Sequence, residues 1–195
     1  MRYFFVDDKL IDEKGNAVMM GWEKPIMKKV SEIICQNGGR ILNIGFGMGI
    51  VDGYISTYSL DEHVIIERHP DVYQYMVDKG WNTKPNTRII FDSWQNVLDD
   101  IGAFDGIYLD TWCDERSQST IKLLEKNLKV GGVFCIWYNP DEFDSILGSL
   151  NENYVVTYEF LNNDGIIPSE QHANGKTYIE PTSEKIIIPI FKKIK

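Results

Sequence analysis

The chain has 195 residues, 43% hydrophobic and 25% charged, which suits one globular domain with a full core. No apolar run approaches the roughly 20 residues of a membrane span, and acid interrupts the opening Met-Arg-Tyr-Phe-Phe-Val-Asp-Asp before it forms a secretory leader. A formal net charge of −9 disfavours a nucleic-acid partner and suits a cationic substrate.

In chain order, a hairpin-like arm is predicted over residues 3–18. Glu23-Lys24-Pro25 then opens a helix, because proline fits the first turn and Met27, Val30, Ile33 and Ile34 recur on one face. Asn37-Gly38-Gly39 stops it. Strand-like and helix-like segments alternate from there. Strands are expected at 41–45, 63–67, 87–91, 104–110 and 132–138, with helices at 51–58, 71–79, 94–101, 118–128 and 141–150. Two strands, 154–161 and 185–191, close the series. This alternation specifies an α/β fold, a doubly wound, mostly parallel sheet that binds ligands at the carboxyl ends of its strands. Pro189 lacks a ladder donor and predicts an edge position or a bulge for the last strand.

The first strand of the series runs into Gly45-Phe46-Gly47-Met48-Gly49, a glycine pattern that lets backbone turn sharply and approach a ligand. Glu67 ends the next strand 22 residues after Gly45, a spacing at which an acid accepts hydrogen bonds from a ribose. Ile50 stands where a dinucleotide site wants a third glycine, which argues against a nicotinamide-dependent oxidoreductase and suits a ligand without a pyrophosphate. Ser93-Trp94 follows the third strand and offers polar contacts and an aromatic wall, or plain core. Asp110 ends the fourth strand, either facing the ligand crevice or capping the next helix. Glu23 has a simple alternative role as a first-turn acid, and Met19, Met20 and Met27 as core. His63 precedes a strand, His69-Pro70 reads as a turn, and His172 lies in a polar loop. Cys35, Cys113 and Cys135 show neither disulfide nor zinc spacing, so a cytoplasmic protein without a metal is expected.

The strings Val-Met-Met-Gly-Trp-Glu (18–23), Asn-Ile-Gly-Phe-Gly-Met-Gly-Ile (43–50), Ile-Ile-Glu-Arg-His-Pro-Asp-Val (65–72) and Asp-Gly-Ile-Tyr-Leu-Asp-Thr (105–111) together resemble the guanidinoacetate methyltransferase family. They are most similar to its arginine N5-methyltransferase branch known from fungi. The resemblance runs in order over about residues 17–140. It implies a Rossmann-like class I methyltransferase fold, with a seven-stranded sheet, helices on both faces and an antiparallel last strand. It further implies one domain over 1–195, with 1–24 as an amino-terminal arm over the active site. S-adenosyl-L-methionine would be the cofactor and S-adenosyl-L-homocysteine the product. Cofactor contacts would come from Met19, Met27, Gly45, Phe46, Gly47, Met48, Gly49, Ile50, Glu67, Arg68, Ser93, Trp94 and Asp110. Glu23 and Asp110 would grip the substrate guanidinium as catalytic residues, joined by Tyr138 and Asn139. Trp112 stands where guanidinoacetate methyltransferases usually show tyrosine, so the far end of the pocket is expected to differ.

A guanidinium presents paired donors that two carboxylates take in fork geometry. It is a poor nucleophile with a pKa above about 12, so transfer requires a base to take a proton as the new bond forms. The compact chain, without the additional amino-terminal region of the fungal enzymes, is expected to act on a small free compound, L-arginine first. A protein arginine, guanidinoacetate and a catalytically silent binding module are the alternatives. The retained acids at 23, 67 and 110 argue against the last.

Overall fold

The computed structural model describes residues 1–111, 117–137, 140–169 and 183–195. Strands β1 (Tyr3–Val6), β2 (Lys9–Asp12) and β3 (Ala17–Met20) form an antiparallel sheet in the order β1-β2-β3. The arm is therefore one strand richer than a hairpin. Met19 and Met20, apolar motif residues, also pair with Leu10 and Lys9. A 3-10 turn at Gly21–Glu23 leads into α1 (Lys24–Ile34), with Pro25 in its first turn as expected.

The alternating series follows as β4 (Arg40–Ile44), α2 (Ile50–Ile55), β5 (Glu62–Glu67), α3 (Pro70–Asp78), β6 (Thr87–Phe91), α4 (Trp94–Val97) and β7 (Phe104–Leu109). Then come α5 (Ser117–Asn127), β8 (Leu128–Ile136), α6 (Pro140–Ser149), β9 (Tyr154–Asn162) and β10 (Lys185–Lys193). The seven-stranded sheet has the order β6-β5-β4-β7-β8-β10-β9, and β10 alone runs opposite to the other six strands. Helices α2 and α4 are shorter than predicted, because both pass into tight turns. Tyr58 N–H donates to Ile55 O, and Asp100 N–H to Val97 O. Strand β10 is interior, which corrects the edge expected from Pro189. Its ladder to β8 starts at Ile190, one residue past the proline, so the missing donor breaks no bond with β8.

Alternate residues of each central strand face opposite layers. Ile41 and Ile65 pack with Met27, Ile34, Val51 and Met76 of α1, α2 and α3. Leu42, Ile44, Val64, Ile66, Ile107 and Leu109 pack with Trp94, Leu123, Leu124 and Ile146 on the other face. Arg40 clamps the amino-terminal end of the sheet, donating to Glu62 Oε2 and to the carbonyls of Ile101 and Ala103. The carboxyl ends of β4, β5 and β7 converge at the glycine pattern.

Candidate active site

The loop after β4 is tied to both neighbouring strands. Gly45 N–H donates to Ile66 O and Asp110 N–H to Ile44 O, each at 2.9 Å. Gly45 has φ +92°, and a Cβ there would lie 1.9 Å from the Asp110 carbonyl oxygen. Only glycine allows this approach, which holds Asp110 beside the loop. Gly49, at φ +73°, precedes α2 with the Phe46 ring packed against its Cα.

Glu67 is buried at the end of β5. Its Oε2 accepts Phe46 N–H at 2.9 Å, and its Oε1 accepts His69 N–H at 2.7 Å. Each carboxylate oxygen retains a further lone pair for a ligand. The acid expected for a ribose thus also shapes the loop, a role its spacing does not reveal.

The arm lies on the same loop. Met19 packs on Gly47, and Met48 N–H points at Met19 Sδ, 3.2 Å away. Glu23 is buried, with Oε1 accepting Met20 N–H at 2.8 Å. Glu23 is therefore tied to the Met19–Met20 segment that lies on the loop. Farther out, the Tyr3 ring stacks on His69 at 3.7 Å and Phe5 on Tyr75 at 3.9 Å. Tyr3 N–H and Arg2 Nε each donate to Asp71 Oδ2 at 2.9 Å. The Tyr3 N–H, opposed by partial burial and aided by Arg2, holds the Asp71 carboxyl below the ordinary carboxylate range.

The remaining positions fall around this centre. Ile50 opens α2, Arg68 is exposed, and Ser93 is half-buried with its N–H donating to Asp92 Oδ1. Met27, Phe46 and Trp94 are 0, 0 and 2% exposed, so a ligand reaches them only if neighbours move. Thr111, beside Asp110 and Gly45, carries a buried hydroxyl with no hydrogen-bond partner among the described residues. It lay unassigned within a recognised string. Tyr138, Asn139 and Trp112 lie outside the described residues, as do Cys113 and His172.

Cys35 and Cys135 are free and buried. Burial pushes the Cys35 thiol up to about 12, and the Cys135 thiol upward too, so neither is a ready nucleophile. Among the described residues no group of three or more His, Cys, Asp or Glu is placed to hold a metal, and no helix is long and apolar enough to cross a membrane.

The profile of the family described as guanidinoacetate N-methyltransferase matches residues 3–136, from β1 to the end of β8. The chain belongs to this family. The matched span of the guanidinoacetate N-methyltransferase family contains Glu23, the glycine loop, Glu67 and Asp110. Protein arginine N-methyltransferase 2 of Aspergillus oryzae is 42% identical over 137 residues, covering 64% of this chain and 33% of that protein. Its namesake from Candida glabrata is 41% identical over 165 residues, covering 80% of this chain and 38% of its own. The chain thus spans about a third of the length of these curated relatives. Among solved structures, precorrin-6y C5,15-methyltransferase from Geobacter metallireducens aligns with a TM-score of 0.65 at 15% identity, covering 96% of this chain and 95% of that one. The O-methyltransferase TomG from Streptomyces achromogenes, in complex with SAM, gives 0.61 at 12% identity, covering 88% and 80%. At such identities the likeness is one of fold, the class I methyltransferase fold.

Proposed function

We propose that the chain is an S-adenosylmethionine-dependent N-methyltransferase acting on the substituted nitrogen of a guanidino compound, with free L-arginine the first candidate. One observation carries this reading. Within the family match, Glu67, Asp110 and the segment bearing Glu23 all bond to, or lie in contact with, a single glycine loop.

The residues present fit the cofactor. Gly45, Gly47 and Gly49 leave the loop free of Cβ atoms, Glu67 keeps lone pairs for ribose hydroxyls, and the Thr111 hydroxyl is buried at the same strand ends. The backbone of Gly45 to Ile50, with Glu67 and Met19, would hold it, and Ser93 would lie toward its adenine, joined by Trp94 once its neighbours move. When bound, the cofactor supplies a methyl group on a positively charged sulfur. Glu23 and Asp110 would bind the guanidinium by charge-assisted hydrogen bonds and orient its substituted nitrogen. Asp110 would take the proton from that nitrogen as the N–C bond forms and the S–C bond breaks. Holding nitrogen, methyl and sulfur in line supplies much of the rest, up to about 7–11 kcal/mol in well-oriented reactions.

A second reading, methylation of a protein arginine, is favoured by the names of the curated relatives. Incubation with isotope-labelled S-adenosylmethionine and either L-arginine or guanidinoacetate, followed by fragmentation mass spectrometry, tests both. The expected product carries its methyl on the δ nitrogen of arginine. Labelling of one protein in a cell extract, with no transfer to a small guanidine, would favour the protein substrate. Transfer to a terminal nitrogen would contradict the place given to Asp110.

A further inference from the structure

Beneath the glycine loop, between β4, β5 and α2, lies a polar cluster that the mechanism above does not use. Asn43 and Asp52 are fully buried, and His63 is 3% exposed. Asn43 Nδ2 lies 3.0 and 2.9 Å from the two Asp52 carboxylate oxygens and 3.0 Å from the Gly45 carbonyl oxygen. An amide nitrogen carries two hydrogens, so one goes to Gly45 and the other is shared by the carboxylate. Three surrounding oxygens fix the amide's orientation, since its own oxygen turned to that side would face only acceptors. His63, level with Ile41 across the ladder, places Nε2 3.0 Å from Asp52 Oδ1.

The Gly45 carbonyl and the Phe46 N–H belong to one peptide unit. Asn43 holds its oxygen, and Glu67 accepts from its nitrogen. That peptide is therefore gripped from two sides, at a residue whose φ of +92° leaves glycine's wide backbone freedom. A buried carboxylate and a buried amide each carry a large desolvation cost unless well partnered. Here Asn43 Nδ2 bonds both Asp52 and the loop, while Asn43 Oδ1 has no hydrogen-bond partner among the described residues.

We infer that Asp52 and Asn43 are positioning residues. Asp52 orients Asn43, Asn43 locks the Gly45–Phe46 peptide, and the locked peptide sets the angle at which Glu67 meets the cofactor's ribose. This rests on the reading that the glycine loop and Glu67 hold S-adenosylmethionine.

The test measures S-adenosylhomocysteine affinity by calorimetry together with the thermal midpoint, for native protein, D52N, N43A and the swapped pair N43D/D52N. The swap restores a hydrogen bond between positions 43 and 52 but leaves no donor for the Gly45 carbonyl. The single variants are expected to lose affinity about tenfold, the equivalent of one strong hydrogen bond. The swap should recover the thermal midpoint of D52N toward native while its affinity stays low. Recovery of both would show a purely structural pair and overturn the inference, as would native affinity in the single variants. If the swap does not fold, a cycle of D52N with E67Q decides. Coupled effects on affinity support a shared peptide, and independent ones overturn it. Failure of the native protein to bind S-adenosylhomocysteine would instead defeat the functional reading, and this inference with it.

Discussion

Asp110 follows β7 and Glu23 follows β3, and the two carboxylates have different surroundings. Asp110 is half-buried where β7 meets the loop, with its backbone fixed by Ile44 and Gly45. Asp110→Asn keeps this backbone and the side chain's shape but cannot accept a proton. Turnover should fall by roughly two to four decades while S-adenosylhomocysteine affinity, read by calorimetry, holds. Near-native turnover would send the proton by another route. Glu23→Gln retains an Oε1 to accept the Met20 N–H, so the fold should persist. Its contact with a guanidinium would drop to about half the strength, raising KM and lowering kcat at constant cofactor affinity. Steady-state kinetics with L-arginine checks this, and an unchanged KM would remove Glu23 from the substrate site. The places of Glu23, Glu67 and Asp110, at a helix start and at strand ends, were legible in the sequence, whereas a substrate role for Glu23 was suggested only by the family resemblance. Asp52 and Thr111 were not legible. Asp52 looks like an ordinary first-turn acid of α2, and only folding brings it against Asn43.

Two kinds of glycine stand within helix α2 and in the loop before it. Gly53, inside the helix, is exposed and has nothing within 4 Å of a Cβ, whereas Gly45 before it combines positive φ with a backbone collision. Gly53→Ala should raise stability by about 0.5–1 kcal/mol, by helix propensity and a restricted unfolded chain. Cofactor affinity should not change. Gly45→Ala should abolish cofactor binding or folding outright, and binding with native affinity would show that the loop relaxes. The arm is tied by Asp71, whose carboxyl lies below its ordinary range when folded. A depressed folded value adds stability above the ordinary carboxylate range and loses it as pH falls through the folded value. Hydrogen-exchange protection at residues 3–6, taken relative to the intrinsic rate at each pH, should therefore fall on acidification, and Asp71→Asn should flatten that dependence. If the two proteins exchange alike at every pH, Asp71 is not the tie. Strands β4, β5 and β7 were legible because buried parallel strands read as apolar runs. Strand β3 was less legible because its four residues, Ala-Val-Met-Met, are all apolar and show no polar alternation.

Across the whole molecule, the sheet divides the apolar interior into two layers, and helix signals alone did not say which helix lay on which face. Ile65 and Ile107 are both fully buried, one in each layer. Each to Ala should cost about 2–5 kcal/mol in denaturant unfolding. The double variant should sum the two within about 0.5 kcal/mol, since the sheet separates them. A larger departure would mean that the layers repack together. The placement of β10 also has a meaning for how this chain is made. Strand β9 is synthesised before the strand that must lie between it and β8. A nascent chain that has emerged through Asn162 carries a strand with no ladder partner, next to a β8 edge still open on one side. At roughly 5–20 residues per second, ribosomal synthesis keeps both exposed for seconds. Unpaired edges recruit other chains. Polysome neighbours translating the same message are the nearest supply of matching strands, until Lys185 to Lys193 arrive to close the gap.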